Sequence, residues 1–142
     1  MLLERLTQAF RRSNAVAAVL YVDLDGFKAV NDRHGHAAGD ALLVALAGRL
    51  SVLLRPADTL ARLHGDEFVV LCQDLHHPGE AHLIARRLEL AVTEPFDLPG
   101  GRVAITASVG VALADRSTHA PEEVLRNADS AMYQAKRARR PA

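Results

Sequence analysis

The segment AVAAVLYVDLDGF, residues 15–27, constrains the fold of this chain more than any other stretch. Its apolar run continues without interruption until Asp23, which predicts a central, buried strand. Two acids and a glycine then follow, an ending typical of a strand that opens into a functional loop. We therefore expect the fold to be organised around this strand.

Other segments supply the remaining elements. Strand-like residues at 59–63 and 67–73 flank a short glycine-containing turn and predict a β-hairpin, and residues 101–113 predict a strand pair or one bent strand. Helical spacing of apolar residues predicts helices over residues 2–12, 37–54, 79–92 and 120–140. This order predicts an α+β fold, an α/β sandwich in which helices surround a mainly antiparallel central sheet.

Size and charge limit the class of protein. The 142 residues, 49% of them hydrophobic, fit a single domain over residues 1–142. Lys plus Arg (17) balance Asp plus Glu (17), so no overall field favours nucleic acid, and we expect no nucleic-acid partner. The single cysteine, Cys72, lies in an apolar run and indicates a buried thiol in a reducing cytosol. We expect a cytoplasmic domain, because runs such as AVAAVLYV are too short to cross a bilayer and the N-terminus lacks a signal-peptide pattern, although a longer parent protein could carry a membrane anchor.

The first acidic cluster contains Asp23 and Asp25, at the end of the predicted buried strand. A carboxylate there is desolvated unless it meets a cation or hydrogen-bond donors, which a metal ion would supply. The alternative is that Asp-x-Asp-Gly simply ends the strand and starts a turn. A calcium EF-hand loop is excluded, because its twelfth position would be His34, which cannot supply the required bidentate carboxylate.

The second cluster, Asp66 and Glu67, follows Gly65 at the tip of the predicted hairpin. Successive strand residues point to opposite faces, so a polar turn without any ligand is an alternative interpretation. Both clusters, however, end strands that could be neighbours in one sheet. Such a pair can hold two divalent ions roughly 3.5–4 Å apart, an arrangement used in nucleotidyl transfer.

Four segments carry a family resemblance: YVDLDGFKAVNDRHGHAAGDALL, RPADTLARLHGDEFVVL, ITASVGVA and NADSAMYQAKRARR. In this order they resemble the successive motifs of the GGDEF family, the diguanylate cyclases, from about residue 15 to residue 140, with HGDEF in place of the signature. The resemblance implies a fold similar to the palm of nucleotide cyclases and polymerases. It also implies a reaction that joins two GTP molecules into cyclic di-GMP and pyrophosphate.

The resemblance also implies roles for individual residues. Two Mg²⁺ or Mn²⁺ ions per active site would be bound by Asp23, the backbone carbonyl of Leu24, Asp66 and Glu67, and a carboxylate beside them could help deprotonate the 3′-hydroxyl. The phosphates would be met by Lys28 in the loop after the first strand, and by Lys136 and Arg140 on the last helix. The substrate-binding residues that the resemblance implies are Asn31 and Asp40, which match the guanine edge, with His36 and Phe27 beside them.

These residues have alternative interpretations. Asn31 could stabilise a turn, Asp40 could be an acid in the first turn of a helix, and a cationic helix end could complement the helix dipole.

Arg55 and Asp58 match the product-inhibition site of the family, R-x-x-D, upstream of the signature hairpin. Arg can form bidentate hydrogen bonds with a phosphate or stack on a guanine, and Asp can accept hydrogen bonds from the base edge. Arg86 matches the arginine by which such a site links two domains, although Arg87 is an alternative. On its own, the motif could merely end a helix.

Two features depart from the family pattern. His64 stands where the signature has a glycine. If that position needs positive φ, the backbone strain of a histidine there destabilises the fold by about 1–3 kcal/mol. A turn that usually precedes the first helix is absent, so we expect an N-terminally truncated piece of a longer protein with a sensory domain. Two hypotheses follow: an active cyclase working as a homodimer, or an impaired domain that acts as a receptor for cyclic di-GMP or GTP.

Overall fold

The computed structural model describes Glu4 and residues 16–63, 65–114 and 120–139. The predicted helix over residues 2–12 lies, apart from Glu4, outside the described residues, as do His64 and Arg140.

The central sheet has four strands, and each pair of neighbouring strands is antiparallel. They are β1 (Val16–Asp25), β2 (Thr59–Arg62), β3 (Glu67–Leu75) and β6 (Thr106–Ala114), in the order β2-β3-β1-β6. Strand β1 therefore lies inside the sheet, as its apolar run predicts. Two short strands, β4 (Phe96–Leu98) and β5 (Gly101–Val103), pair with each other in a separate hairpin.

Four helices complete the described part of the fold. They are α1 (Phe27–His34), α2 (His36–Leu53), α3 (Gly79–Thr93) and α4 (Pro121–Arg139). Alternate residues of β1 enter two apolar cores, one that includes residues of α2 and α3 and one that includes residues of α4. Helices thus cover both faces of the sheet, which explains why β1 is apolar without alternation and confirms the predicted α+β fold.

Helix α1 and strand β4 were missed by the sequence interpretation, which treated residues 23–32 as a strand end and loop. The chain turns at Gly26, whose φ is 85°, and then forms eight helical residues, of which only Val30 is buried. Lys28 and Asn31 are therefore helical rather than loop residues, and the loop placement of Lys28 was wrong. Asp40 is not in a first helical turn either, because α2 already begins at His36.

Helix α4 packs unusually close to the sheet at Gly110 in β6. A Cβ atom on Gly110 would lie 2.1 Å from the backbone nitrogen of Met132 and 2.2 Å from the carbonyl oxygen of Ala128. Only glycine permits this approach. The contact fixes the C-terminal half of α4, which carries Lys136, over the sheet.

Helix α2 is, among the described residues, the one helix long and apolar enough to cross a membrane by length and composition alone. Leu42, Leu46 and Leu50 of this helix are fully buried in the core. Packing in the core therefore accounts for these leucines, whereas only 33% of the helix is buried and Val44 and Val52 are exposed.

Candidate functional site

The two acidic clusters meet at one end of the sheet. In the strand register, Asp23 of β1 lies opposite Glu67 of β3 on one side and opposite Ser108 of β6 on the other. The backbone N–H of Leu24 donates to the carbonyl of Asp66 at 3.4 Å. The pairing of β1 with β3 thus brings together all four residues predicted to hold metal.

Lys136 reaches this end of the sheet from α4. Its Nζ donates to Asp23 Oδ2 at 2.8 Å and to the carbonyl of Leu24 at 3.3 Å, and lies 3.7 Å from Asp25 Oδ1. Desolvation lowers the pKa of Lys136, but the hydrogen bond to Asp23 and the charges of Asp23, Asp25 and Asp66 outweigh it and leave the pKa raised. Lys136 is therefore a charged ammonium held against two of the oxygens predicted as metal ligands.

Two hydroxyl groups of β6 hold Asp25. Thr106 Oγ1 donates to Asp25 Oδ2 at 2.7 Å, and the buried Ser108 Oγ donates to Asp25 Oδ1 at 3.0 Å. Neither Thr106 nor Ser108 was identified from the sequence. A serine in the otherwise apolar run ASVGVALA, residues 107–114, is the sequence signal that could have pointed to Ser108.

Two observations show that the site suits a cation with oxygen ligands. Asp23 Oδ1 is buried and has no hydrogen-bond partner among the described residues. Desolvation, followed by the charge of Asp23, raises the pKa of Asp66, so the site carries more negative charge than its own donors stabilise.

Carboxylate and carbonyl oxygens are the ligands that Mg²⁺ prefers, and Mg²⁺ usually binds through one or two carboxylates plus substrate phosphates. Among the described residues, no group of three or more His, Cys, Asp or Glu side chains could hold a metal ion by itself. The residues present therefore fit an open magnesium site that a phosphate ligand completes, and do not fit a closed cage.

Tyr21 supports Glu67 from within the sheet. Its Oη lies 3.4 Å from Glu67 Oε1, to which it donates a hydrogen bond. Burial, the charges of Glu67, Asp129 and Asp23, and the hydrogen bond to Glu67 raise the pKa of Tyr21 to about 12. The phenol therefore remains a proton donor to Glu67 at neutral pH, a contact that the apolar run around Tyr21 gave no reason to expect.

The residues predicted to bind guanine lie on α1 and α2. Asn31 Oδ1 is buried and has no hydrogen-bond partner among the described residues. Gly39 makes room for it, because a Cβ there would lie 1.8 Å from Asn31 Oδ1 and 3.2 Å from Cζ of Phe27. Asn31, Phe27 and Gly39 thus form one packed group, whereas Lys28, His36 and Asp40 are exposed.

Arg55 and Asp58 form a tight ion pair next to a pocket of about 440 Å³. Arg55 Nη2 lies 2.7 Å from Asp58 Oδ1 and donates to the carbonyl of Gln73 at 2.6 Å. The hydrogen bond to Asp58 raises the pKa of Arg55 above its usual value. The Asp58 side chain is only 1% exposed, so its partner must be displaced before Asp58 can bind a ligand. Arg86 is exposed on α3.

Hydrogen bonds to backbone carbonyl groups close the signature hairpin. The N–H of Leu63 donates to the carbonyl of Glu67 at 3.0 Å, Arg62 Nε donates to the carbonyl of Gly65 at 3.0 Å, and Gly65 has a φ of 56°. Residue 65 thus adopts a left-handed backbone conformation, which glycine tolerates best. The effect of His64 stays a prediction, because that residue lies outside the described part of the chain.

Comparisons with known proteins agree with this geometry. The family model described as "Diguanylate cyclase, GGDEF domain" matches residues 1–142. The chain is 43% identical over 136 residues to the bifunctional diguanylate cyclase/cyclic di-GMP phosphodiesterase MucR of Pseudomonas aeruginosa, a match that covers 94% of this chain and 20% of MucR. It is 42% identical over 137 residues to the diguanylate cyclase TpbB of the same species, a match that covers 94% of this chain and 32% of TpbB.

The crystal structure of the GGDEF domain of TpbB aligns with this fold at a TM-score of 0.92 and 40% identity, covering 99% of this chain and 90% of that one. The chain therefore matches a solved domain over nearly its whole length, yet spans only about a fifth of MucR and a third of TpbB.

Proposed function

Because the chain belongs to the GGDEF family of diguanylate cyclase domains, we propose that it joins two GTP molecules into cyclic di-GMP. The observation that carries the proposal is the pairing of β1 with β3, which sets Asp23 opposite Glu67 and links Leu24 to Asp66. It places two acidic clusters from distant parts of the chain at one sheet end, where a triphosphate can approach the carboxylates of both clusters and the Leu24 carbonyl oxygen.

Asp23, the Leu24 carbonyl, Asp66 and Glu67 would hold two Mg²⁺ or Mn²⁺ ions. When bound, such ions polarise the α-phosphate and lower the pKa of the attacking 3′-hydroxyl. The chain contributes fixed positions for these ligands, because three of them belong to hydrogen-bonded strands. A carboxylate of the same cluster would accept the proton of the hydroxyl.

Guanine would lie against Asn31 and Asp40. The buried Oδ1 of Asn31, which has no hydrogen-bond partner within the described part of the chain, is an acceptor suited to the N–H groups of the base edge. Lys28, exposed on α1, and Lys136 on α4 would neutralise the phosphates, together with Arg140. These contacts would orient the α-phosphate toward the site where the hydroxyl attacks.

A complete reaction needs two copies of the domain, since each would hold one GTP. The 3′-oxygen of each nucleotide forms a bond to the α-phosphorus of the other, each pyrophosphate leaves with its bond electrons, and each hydroxyl proton passes to a carboxylate or to solvent. We further propose that the domain works in the cytoplasm, where GTP is available, under the control of a sensory domain elsewhere in a longer protein.

A cyclase assay tests this function. The protein with GTP and Mg²⁺ should release cyclic di-GMP and pyrophosphate, measured by chromatography and a coupled phosphate assay. Asp23→Asn should lower the rate at least 100-fold, because a metal ligand is lost. The matched control is Asp97→Asn, at an exposed acid of the β4–β5 hairpin, which should leave the rate unchanged. Absence of product from wild type, from His64→Gly and from the full-length protein would exclude the activity.

A second function rests on the pocket beside Arg55 and Asp58, where the domain would bind cyclic di-GMP as a product inhibitor or as a receptor. Arg55 could contact a phosphate or a guanine, and Asp58 could accept from the base edge once their mutual bond opens. Calorimetry with cyclic di-GMP should show binding that Arg55→Ala abolishes. Arg86→Ala should weaken binding more than Arg87→Ala, at a neighbouring residue that is also exposed. Equal affinity in wild type and Arg55→Ala would exclude this site.

A further inference from the structure

Lys136 occupies the oxygens that the proposed function assigns to a metal ion. Its ammonium contacts both Asp23 Oδ2 (2.8 Å) and the Leu24 carbonyl (3.3 Å), which belong to adjacent residues at the end of β1. A single cation bridging a carboxylate and a backbone carbonyl is the arrangement expected of a bound metal, here supplied by the chain itself. The Lys136 and Asp23 side chains are 28% and 14% exposed, so water screens their attraction only partly.

An ammonium and a divalent ion cannot share this pair of oxygens. Mg²⁺ requires oxygen ligands at about 2.0–2.1 Å. Because Nζ is 2.8 Å from Asp23 Oδ2 and 3.3 Å from the Leu24 carbonyl oxygen, a divalent ion held by this carbonyl and by either oxygen of Asp23 would lie close to the ammonium. At such separations the repulsion between the two cations is large, even in a partly solvated site. Binding of either cation therefore requires the other to leave.

Asp25 provides a second place for the ammonium. It lies 3.7 Å from Lys136 Nζ, and Thr106 and Ser108 hold its carboxylate by hydrogen bonds, so it does not depend on Lys136 for its position. A small rotation of the lysine side chain would release Asp23 while keeping an ion pair with Asp25. The backbone does not have to move, because the strand pairing of β1 already fixes the positions of Asp23 and Leu24.

We propose that Lys136 is an internal competitor for the metal ligands, which it leaves by moving toward Asp25 and the nucleotide phosphates when a divalent ion binds. This inference rests on the proposed function for the identity of the ligands. It implies that metal and nucleotide bind cooperatively, because a phosphate that attracts the displaced ammonium lowers the cost of metal entry, and linkage makes this coupling reciprocal. Without nucleotide, the lysine keeps its contacts with Asp23 Oδ2 and the Leu24 carbonyl and holds metal affinity down.

Mn²⁺ binding in the absence of nucleotide tests the competition, with free Mn²⁺ measured by electron paramagnetic resonance. Lys136→Met should bind Mn²⁺ about tenfold more tightly than wild type, because the competing charge-assisted hydrogen bonds are lost. Arg137→Met, at the next and exposed residue of α4, removes the same charge without removing those contacts and should change the affinity less than twofold. Equal effects of the two substitutions, or no tighter binding by Lys136→Met, would overturn the proposal.

A second measurement needs no variant. The chain has two lysines, Lys28 and Lys136, so acetylation by a limiting reagent followed by mass spectrometry compares them directly in one protein. Saturating Mg²⁺ should increase the labelling rate of Lys136 relative to that of Lys28 severalfold, because the ammonium leaves Asp23. An unchanged ratio in protein shown to bind the ion would overturn the proposal.

Asp23→Asn distinguishes failure of the metal site from failure of the competition by Lys136. If wild type binds Mn²⁺ and Asp23→Asn does not, the metal site stands, and the Lys136→Met result decides the competition alone. If Mn²⁺ binds neither wild type nor Lys136→Met, or binds Asp23→Asn as well as wild type, both the assigned ligands and the inference fail.

Discussion

Nζ of Lys136 lies 2.8 Å from Oδ2 of Asp23, although 113 positions separate the two residues in the chain. The contact joins the last helix, on one face of the sheet, to the end of the central strand. It depends on how closely α4 approaches β6, and that distance is set where Gly110 meets the helix backbone. The candidate site is therefore sensitive to packing at a position that carries no functional group.

Gly110→Ala should destabilise the fold. The added Cβ would meet backbone atoms of Met132 and Ala128 at 2.1 and 2.2 Å, and backbone cannot yield without moving α4 as a whole. We expect the free energy of unfolding, measured by urea denaturation, to fall by about 1–3 kcal/mol, as for other overpacked cores. Gly48→Ala is the control, since Gly48 lies at an exposed position of α2 where a Cβ meets nothing within 4 Å, and the substitution should stabilise the fold by about 0.5–1 kcal/mol. Equal stability of Gly110→Ala and wild type would contradict the packing described.

Gly39→Ala should weaken GTP binding without comparable loss of stability. Here the added Cβ meets the end of the Asn31 side chain, at 1.8 Å from Oδ1, so the amide can swing away while the backbone stays in place. We expect affinity for GTP, measured by calorimetry, to fall about tenfold, the loss of roughly one hydrogen bond to the base. Gly48→Ala, in the same helix, should bind GTP like wild type. Unchanged affinity in Gly39→Ala would remove Asn31 from the guanine site.

The strands and long helices could be predicted because burial determines them locally. Strand β1 is apolar throughout since helices cover both of its faces, and α2 is rich in leucine since much of it packs into the core. Helix α1 escaped prediction because it has one buried residue and follows a left-handed glycine, so its polar sequence resembles a loop. Strand β4 has only three residues, too few to show alternation.

The acids of the site could be predicted because desolvated carboxylates at strand ends need a partner, whatever the fold. The residues that hydrogen-bond to these acids, Thr106, Ser108 and Tyr21, could not be predicted. Only the strand register of β1 with its neighbours shows which residues lie beside Asp25 and Glu67. The contact of Lys136 with Asp23 and Leu24 was also missed, since the family resemblance assigned this lysine to phosphates. A glycine inside an apolar strand was the available signal for the close approach at Gly110.

Arg55→Ala should cost more stability than the loss of an ordinary surface ion pair. Asp58 is 1% exposed and accepts hydrogen bonds from Arg55 Nε, Nη2 and the Arg55 backbone N–H, so removing the guanidinium leaves a buried charge with one remaining donor from that residue. We expect the free energy of unfolding to fall by about 1–3 kcal/mol. The double variant Arg55→Ala/Asp58→Ala should recover part of this loss, because neither partner is then left buried alone.

Arg102→Ala is the matched control for this loss, since its ion pair with Asp97 is 71% and 82% exposed. Its effect in the same denaturation series should stay below about 1 kcal/mol. Similar losses in Arg55→Ala and Arg102→Ala would show that the pair beside the pocket is no stronger than a solvated one.

Cys72 should make the stability of the fold fall above pH 9. Burial raises the pKa of its thiol from 9.0 to about 12, so between these values the unfolded chain ionises and the folded chain does not. The stabilising effect of the protonated thiol is complete below pH 9 and is lost as the pH rises toward 12. From pH 8 to pH 10, linkage gives an additional loss of about 1.4 kcal/mol that Cys72→Ala should lack. Parallel pH profiles of the two proteins in urea denaturation would contradict a buried, neutral thiol. The range from pH 8 to pH 10 lies largely below the titration of Tyr21, whose pKa in the folded protein is about 12.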